Sequence, residues 1–315
     1  MRRVWALGLV IGLAAAASAA SADPVRIGFA AESVDYAPAW AAEKLGFFKK
    51  AGVEVKLITF RGGAAAQEAL SAGSADIIAY FSPAVALAVS KGAREKMVAT
   101  VGAGHVGWNV IVKADSGFKT VKDLAGKKVG ISAKATTSDM AALWVAENAG
   151  VKFQEIPLGA ALAPALRSGQ VDAIVFSAMI TMREVEAGQA RLILDLTKEM
   201  PPTLANVYTA SQDMIDKRPQ DLRATLGAIY EALAYMRANR DWTLTYLKEF
   251  AKSDNDKLNE ALYSHVISEL SPDGHIEKAW IDTGLGIAAR AWNMPELTKI
   301  DGSTLFSNDF HPTAK

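Results

Sequence analysis

The sequence predicts an α/β protein with two similar Rossmann-like lobes. The first observation behind this prediction is an internal repeat, in which residues 69–82 (ALSAGSADIIAYFS) return at 165–177 (ALRSGQVDAIVFS). The second is the alternation of short apolar runs with segments of helical periodicity from Val25 to about Leu194. That alternation is typical of βαβ units and of a parallel-rich sheet.

The repeat extends beyond this segment and keeps its order along the chain. Residues 26–29 (RIGF) correspond to residues 128–131 (KVGI), and matching pieces stay about one hundred residues apart. A period of that length is not a solenoid repeat, which spans roughly 20 to 50 residues. We therefore expect two lobes that face each other across a cleft, which is where small ligands commonly bind.

Composition supports two globular domains and excludes several classes of protein. The chain has 315 residues, half of them hydrophobic, and a formal net charge of zero. That length predicts about two domains, and the lack of a basic surface argues against nucleic-acid binding. Because the chain contains no cysteine, disulfides, a cysteine nucleophile and a lipid-anchored cysteine are all excluded.

The first 22 residues have the pattern of a cleaved signal peptide. Arg2 and Arg3 precede an apolar run at 4–17, and an Ala-Ser-Ala cleavage site at 20–22 follows. The run is shorter than the roughly 20 residues that a membrane-spanning helix needs. We expect an exported, soluble mature chain with no membrane span, located in the periplasm and monomeric.

The elements of the first lobe follow from these apolar runs. Strands are predicted at 25–29, 53–59, 76–80 and 96–101. A helix is predicted from Tyr36 to Ala51, because Pro38 suits a first helical turn and Gly52 suits a left-handed cap.

The second lobe repeats this alternation. Its strands are predicted at 108–112, 128–131, 152–156 and 171–176, and its helices at 137–148 and 161–168. A strand at 204–210 and a nearly all-helical segment follow, which indicates a return to the first lobe. With two crossovers as a hinge, lobe I comprises residues 23–104 and 206–315, and lobe II comprises residues 105–205.

Three segments carry a resemblance to a known family. They are 37–55, with APAWAA, LGFF and AGVEV, then 116–131 (SGFKTVKDLAGKKVGI) and 305–310 (LFSNDF). Their order and spacing resemble the periplasmic substrate-binding proteins of ABC importers, in the NMT1/THI5-like branch for sulfonates, taurine, nitrate and thiamine-pyrimidine precursors. The resemblance implies a type II binding-protein fold that closes on a small-molecule ligand, with an ABC permease and its ATPase subunit as partners.

Candidate ligand-binding residues lie in the loops that follow the strands, because open α/β sheets bind ligands beyond their carboxyl strand ends. Gly62 and Gly63 form either an anion-binding nest or a plain tight turn. The loop 132–138 places hydroxyls at a helix N-terminus, which suits sulfonate, carboxylate or phosphate oxygens, although one of them caps the helix in any case. Its candidates are Lys134, Thr136, Thr137 and Ser138.

Further candidates come from equivalent positions and from aromatic side chains. Ser82 and Ser177 each follow a buried strand of the repeat, where a hydroxyl points into the cleft or caps a helix. Tyr36 and Trp108 are suited to stack on a flat ligand, although aromatic side chains are more often core residues. Met179 is a candidate because thioethers fill both cores and adaptable pockets.

Two charged residues and a histidine complete the set. Glu32 and Asp35 either bind an ammonium group such as that of taurine or are solvated loop charges. His105 lies in residues 102–107 (GAGHVG), which match G-x-G-x-x-G but precede a predicted strand, whereas a dinucleotide site must open a helix. The segment fits a hinge better, and His105 is then expected to line the cleft.

We therefore expect a binding protein and not an enzyme, with no cofactor and no metal, because the remaining histidines lack metal-ligand spacing. The expected ligand is a small organic, anionic solute such as a sulfonate, a taurine-like compound or a carboxylate. The alternatives are a ligand sensor domain and an enzyme of pyrimidine or cofactor biosynthesis on the same fold. The cysteine-rich motif of the yeast-type pyrimidine synthase is absent.

Overall fold

The structure is a computed structural model that describes residues 23–103 and 108–311, so the predicted signal peptide and His105 lie outside it. Its strands are β1 (Val25–Phe29), β2 (Val55–Thr59), β3 (Ile77–Phe81), β4 (Glu95–Ala103), β5 (Trp108–Lys113), β6 (Lys128–Ile131), β7 (Gln154–Pro157), β8 (Ala173–Ser177), β9 (Ala190–Asp195) and β10 (Leu204–Ser211). Its α-helices are α1 (Ala37–Lys44), α2 (Phe47–Lys50), α3 (Gly63–Ser71), α4 (Ser82–Ser90), α5 (Thr137–Ala149), α6 (Leu162–Ser168), α7 (Ala178–Glu186), α8 (Leu196–Glu199), α9 (Gln212–Lys217), α10 (Pro219–Ala238), α11 (Arg240–Ala251), α12 (Asp256–Glu269) and α13 (Lys278–Ala291).

The strands form two five-stranded sheets with the same order. The sheet of lobe I has the order β2-β1-β3-β10-β4, and the sheet of lobe II has the order β7-β6-β8-β5-β9. The first three strands of each sheet are parallel, whereas β10 and β5 are antiparallel to both of their neighbours. The sequence repeat is thus a repeat of topology, and the expected α/β architecture of two similar lobes is confirmed, with mixed sheets.

The chain passes between the two sheets twice. It goes from β4 to β5 and later returns from β9 through α8 to β10. In both sheets the antiparallel strand is the first strand that the chain forms after a crossover: β5 follows the first crossover and β10 follows the second. Each of these strands is inserted between two strands of the sheet that it joins.

Asp76 and Asp172, which match in the repeat, have the same structural role. The main-chain N–H of Arg26 donates a hydrogen bond of 2.8 Å to Oδ2 of Asp76. The N–H of Lys128 donates one of 2.9 Å to Oδ2 of Asp172. In lobe I this carboxylate ties the start of β1 to the start of β3, and in lobe II it ties the start of β6 to the start of β8.

The predicted helix at 36–51 is interrupted in the structure. A short 3-10 helix (Val34–Tyr36) precedes α1, and α1 and α2 are separated at Leu45 and Gly46. Gly46 has a φ of 75°, the left-handed conformation that commonly ends a helix. The prediction of one continuous helix was therefore wrong.

The hydrophobic core extends across both lobes. One cluster lies between the lobe I sheet and α1, α10, α11 and α12, and it includes Phe29, Leu233 and Leu262. A second cluster contains side chains of α4, α5 and α13, among them Met140 and Leu285. Because α13 packs on both α4 and α5, the C-terminal region stabilises the position of one lobe against the other.

Candidate ligand-binding site

The carboxyl end of β8 lies against lobe I. It leads directly into α7, and Met179 in the first turn of α7 packs against the lobe I core cluster. The predicted residues Ser177 and Met179 are therefore at the boundary between the lobes.

A polar network occupies the lobe I side of this boundary. Oδ1 of Asp35 lies 2.6 Å from Nε2 of His265 in α12, and Oδ2 of Asp35 accepts a hydrogen bond of 3.1 Å from Nδ2 of Asn206 in β10. The hydroxyl of Tyr36 donates to Oδ1 of Asn206 at 3.1 Å. The network thus joins the segment after β1, the returning strand β10 and a C-terminal helix.

The network carries a negative charge close to buried phenols. Burial is the largest cause that raises the pKa of Tyr36 well above its ordinary value, and the charge of Asp35 raises it further. Burial and the same carboxylate also raise the pKa of Tyr208. Both hydroxyls therefore remain protonated at neutral pH.

The imidazole of His265 belongs to this network. An ionised carboxylate only accepts hydrogen bonds, so Nε2 of His265 is the donor in the contact with Asp35. Nδ1 of His265 is buried and has no hydrogen-bond partner among the residues that the structure describes. The side chain of His265 is 9% exposed.

Helix α7 of lobe II is in contact with the helices of lobe I. Nη2 of Arg183 donates a hydrogen bond of 2.7 Å to the carbonyl oxygen of Ala251, at the end of α11. Nζ of Lys257 in α12 lies 4.0 Å from Oε2 of Glu186. These contacts bridge the two lobes along α7.

The hydroxyls predicted at the start of α5 are engaged within lobe II. Thr136 caps the helix: its Oγ1 accepts from the N–H of Asp139 and donates to the carbonyl of Ala133 at 2.7 Å. Ser138 is fully buried and donates to the carbonyl of Val175 at 2.6 Å. Thr137 is also buried.

Asp139 supplies a negative charge at this helix end. Its Oδ2 accepts hydrogen bonds from the N–H of Ala135 at 2.9 Å and from Nε1 of Trp292 at 2.8 Å. Lys134 lies 3.1 Å from Oδ1 of Asp139 and also bonds Glu155. Burial lowers the pKa of Lys134, but its hydrogen bonds to Glu155 and Asp139 outweigh that effect, so the pKa is raised. A carboxylate at a helix N-terminus provides the stabilisation that a bound anion would provide.

The start of α3 differs, because no side chain caps it. Gly62 has a φ of 115°, which a side chain rarely permits. A Cβ at Gly63 would lie 2.0 Å from the ring of Tyr80, so that glycine allows close packing of helix and sheet. The nearby Ser82 is buried, and its hydroxyl donates to the carbonyl of Leu204 in β10.

The aromatic candidates Tyr36 and Trp108 are both buried. Tyr36 is 3% exposed, and its ring centroid lies 5.2 Å from that of Phe29. Trp108 is 8% exposed and lies 5.5 Å from the ring of Phe176. The ligand contacts assigned to these and the other candidate residues stay predictions.

Sequence reasoning missed three residues of this region, namely Asn206, His265 and Asp139. His265 lies on the same helix as the buried Leu262 and Val266. A histidine next to apolar residues at helical spacing is the sequence signal that could have selected it. Within the ranges 23–103 and 108–311, no group of three or more His, Asp or Glu residues is suited to hold a metal ion. No helix in the described part of the chain is long and apolar enough to cross a membrane.

The chain is similar in sequence to known proteins, and its fold is similar to that of solved structures. A "Putative binding protein" of Brucella abortus is 27% identical over 295 residues, which cover 89% of this chain and 90% of the relative. The alkanesulfonate-binding protein SsuA from Xanthomonas axonopodis pv. citri, solved with MOPS, superposes with a TM-score of 0.78 at 18% identity over 92% of this chain and 99% of that one. The nitrate-binding protein NrtA from Synechocystis PCC 6803 has a TM-score of 0.74 at 16% identity over 91% of this chain and 86% of that one.

At these identities the two solved structures show the fold alone, which is that of periplasmic binding proteins. The family model described as NMT1/THI5 like matches residues 33–241, more than half of the chain. The expected family is thereby confirmed. The chain belongs to the NMT1/THI5-like family.

Proposed function

We propose that the protein is the periplasmic solute-binding component of an ABC importer. It captures a small organic solute with an anionic group, such as a sulfonate, a taurine-like compound or a carboxylate, and delivers it to a permease and its ATPase subunit. The observation that carries the proposal is the pair of sheets with matching topology, joined by two crossovers and in contact through α7 and α12. The family membership supports it.

Closure of the lobes is the proposed mechanism, and it requires no covalent chemistry. A ligand shifts the balance between open and closed states only by the difference in its affinity for them. We consider a solute that contacts Asp35 or His265 in lobe I and also contacts the start of α7 in lobe II. Such a solute makes the two contacts together only in the closed state. Closure then shields the solute and presents both lobes to the permease.

Two helix starts differ in their suitability for the anionic group. The N–H groups at the start of α3 have no side-chain cap, which favours an anion there. The start of α5 already has the carboxylate of Asp139. We therefore propose Gly62 and Gly63, and not the loop 132–138, as the main contact for the anionic group.

Thermal unfolding and calorimetry with a panel of solutes test the proposal. The panel contains alkanesulfonates, taurine, nitrate, pyrimidines and aromatic carboxylates, in phosphate buffer, with sodium sulfate as the control for ionic strength. A solute at 100 times its Kd stabilises the folded state by about 2.7 kcal/mol. If no solute of the panel stabilises the protein, the proposed function is contradicted.

Uptake measurements separate transport from sensing. For a solute that binds, cells lacking this chain and cells lacking the cognate permease are both expected to lose uptake. If uptake persists without this chain while transcription no longer responds to the solute, the protein is a sensor and the transport proposal fails.

A further inference from the structure

We infer that Glu95 and Gln67 form a proton-binding site in lobe I, and that a proton bound there strengthens the capture of an anionic solute. The inference rests on the proposed function and adds the proton as a second ligand of the protein. It combines the contact between these two side chains, the position of Gln67 on α3 and the contact of Tyr80 with Gly63.

The first step is the geometry of the pair. Nε2 of Gln67 donates a hydrogen bond of 2.6 Å to Oε2 of Glu95, and Glu95 is 5% exposed. The other two oxygens, Oε1 of Gln67 and Oε1 of Glu95, are buried and have no hydrogen-bond partner among the described residues. While Glu95 is ionised, both of these oxygens are acceptors. A proton on Glu95 supplies a donor to the pair.

The second step concerns the surroundings of Glu95. It begins β4, whereas residues 104–107 follow the other end of that strand, about 26 Å away. Lys96 is the next residue in the strand and therefore points to the other face of the sheet. Arg94 is exposed, and α4 (SPAVALAVS) contains no charged residue. Charged residues of α9 and of the C-terminal region form pairs of their own, namely Asp213 with Lys217 and Asp301 with Lys278.

The third step is the pH range in which the charge of Glu95 changes. Burial raises the pKa of Glu95 to about 6, although the hydrogen bond from Gln67 opposes this shift. The carboxyl group is therefore mostly protonated at pH 5 and mostly ionised at pH 7.5. The negative charge beside α3 is present only toward the upper end of this range.

The fourth step connects this charge to the start of α3. Burial raises the pKa of Tyr80, and the charge of Glu95 raises it further. A Cβ at Gly63 would lie 2.6 Å from the hydroxyl of Tyr80, so this hydroxyl lies against the first residue of α3. A carboxylate that disfavours a negative charge on Tyr80 also disfavours an anion at Gly63. Gln67 itself is only one helical turn further along α3.

Solute and proton are therefore expected to strengthen each other's binding. An anion at Gly62 and Gly63 is repelled by ionised Glu95 but not by its protonated form, so the anion raises the pKa of Glu95. Linkage requires that the proton increase the affinity for the anion by the same factor. For partly screened charges about 10 to 15 Å apart, we expect a factor of about three to ten.

Titration calorimetry at pH 5.5 and 7.5 tests the coupling. The probes are ethanesulfonate, taurine, nitrate and benzoate, in bis-Tris buffer, which contains no sulfonate, at constant ionic strength. For a probe that binds wild type, we expect the Kd to be about two- to sixfold lower at pH 5.5 than at pH 7.5. This ratio is smaller than the full factor because the titration of Glu95 is incomplete at both pH values.

Glu95→Gln is the diagnostic variant, because its amide does not titrate and its N–H replaces the bound proton as a donor. We expect the wild-type ratio of Kd values to be lost, and the Kd at pH 7.5 to fall to that of wild type at pH 5.5. Other groups that titrate in this range, such as His265, are the same in both proteins. Glu68→Gln is the matched control, since Glu68 is an exposed glutamate of α3, and it should keep the wild-type ratio.

The outcomes are distinct. If folded Glu95→Gln keeps the wild-type ratio, or if wild type binds a probe with the same Kd at both pH values, the inference is wrong but the proposed function stands. If wild type binds none of these probes and no solute of the earlier panel, both fail. Should Glu95→Gln not fold, 13C NMR of wild type decides: the titration midpoint of the Glu95 carboxyl group must rise when a binding probe is added, and an unchanged midpoint overturns the inference.

Discussion

Nε1 of Trp292 donates a hydrogen bond of 2.8 Å to Oδ2 of Asp139. The bond joins the residue that follows α13 to the first turn of α5, and Asp139 is 1% exposed. The cost of burying this carboxylate is offset by the hydrogen bonds that it accepts, including the one from Trp292. The contact therefore couples the C-terminal helix to the helix start that sequence reasoning assigned to the ligand.

Replacement of Trp292 by Phe removes this donor while most of the aromatic ring is kept. We expect the free energy of unfolding to fall by about 1.5 to 3 kcal/mol, the usual range for a hydrogen bond to a charged group. Urea denaturation measures the change. Trp280→Phe, at a partly buried tryptophan of the same core cluster, is the control for lost ring volume, and equal effects would contradict the prediction.

Ser82→Ala should act on stability and not on ligand affinity. The Ser82 hydroxyl donates to the carbonyl of Leu204, where the chain re-enters lobe I. Its loss should cost about 0.5 to 1.5 kcal/mol in urea denaturation, with the Kd of a bound solute unchanged. Ser90→Ala, at an exposed serine bonded to Leu87, is the control. A change of Kd without a change of stability would identify Ser82 as a ligand contact.

Glu95→Gln should stabilise the protein above neutral pH. Glu95 is 5% exposed, and burial raises its pKa from 4.5 to about 6, although a hydrogen bond from Gln67 opposes the shift. Because the folded pKa is the higher one, the contribution of this group to stability is complete below about pH 4.5 and is lost as the pH rises through 6.

We therefore expect Glu95→Gln to raise the free energy of unfolding by about 2 kcal/mol at pH 7.5 and to leave it nearly unchanged at pH 4.5. Urea titrations at both values measure the difference. Glu231→Gln, at an exposed partner of Lys50, should show no gain at pH 7.5. A gain of equal size at both pH values for Glu95→Gln would disprove the titration as its cause.

Arg183→Ala should favour the open state. Arg183 of α7 bonds the carbonyl of Ala251 across the lobe boundary, so its removal weakens the closed state selectively. We expect a larger radius of gyration of the free protein in small-angle X-ray scattering and an affinity reduced by up to about tenfold. Arg240→Ala, which removes a pair with Glu260 within the lobe I helices, should change neither quantity. Unchanged scattering and affinity in Arg183→Ala would show that this contact does not control closure.

The fold could be predicted from the sequence because its signals are local. The apolar runs locate the strands, and Asp76 and Asp172 recur with their neighbours because they have the same role in both lobes. The candidate site was harder to predict from the sequence. The contact between Asp35 and His265 joins residues 230 positions apart, and neither local sequence indicates it.

The start of α5 shows a second reason why the site was harder to predict than the fold. The sequence led us to expect a bound anion there. The pattern Thr136-x-x-Asp139 places a carboxylate in the first turn of the helix, where it bonds the N–H of Ala135. A capping pattern of this kind is recognisable in a sequence. It indicates that the helix start is satisfied by its own chain, and the hydroxyl content of the loop does not reveal this.

The insertion of β5 and β10 into the two sheets has a consequence for the order in which the protein is made. The sheet of lobe II consists of consecutive segments, from Trp108 to Asp195. In lobe I, by contrast, β3 and β4 are separated by a position that only β10 fills, and β10 begins roughly a hundred residues after β4 ends. During synthesis from the N-terminus, the first-made lobe is therefore the last to be completed, and its β4 edge stays unpaired until the second lobe has emerged.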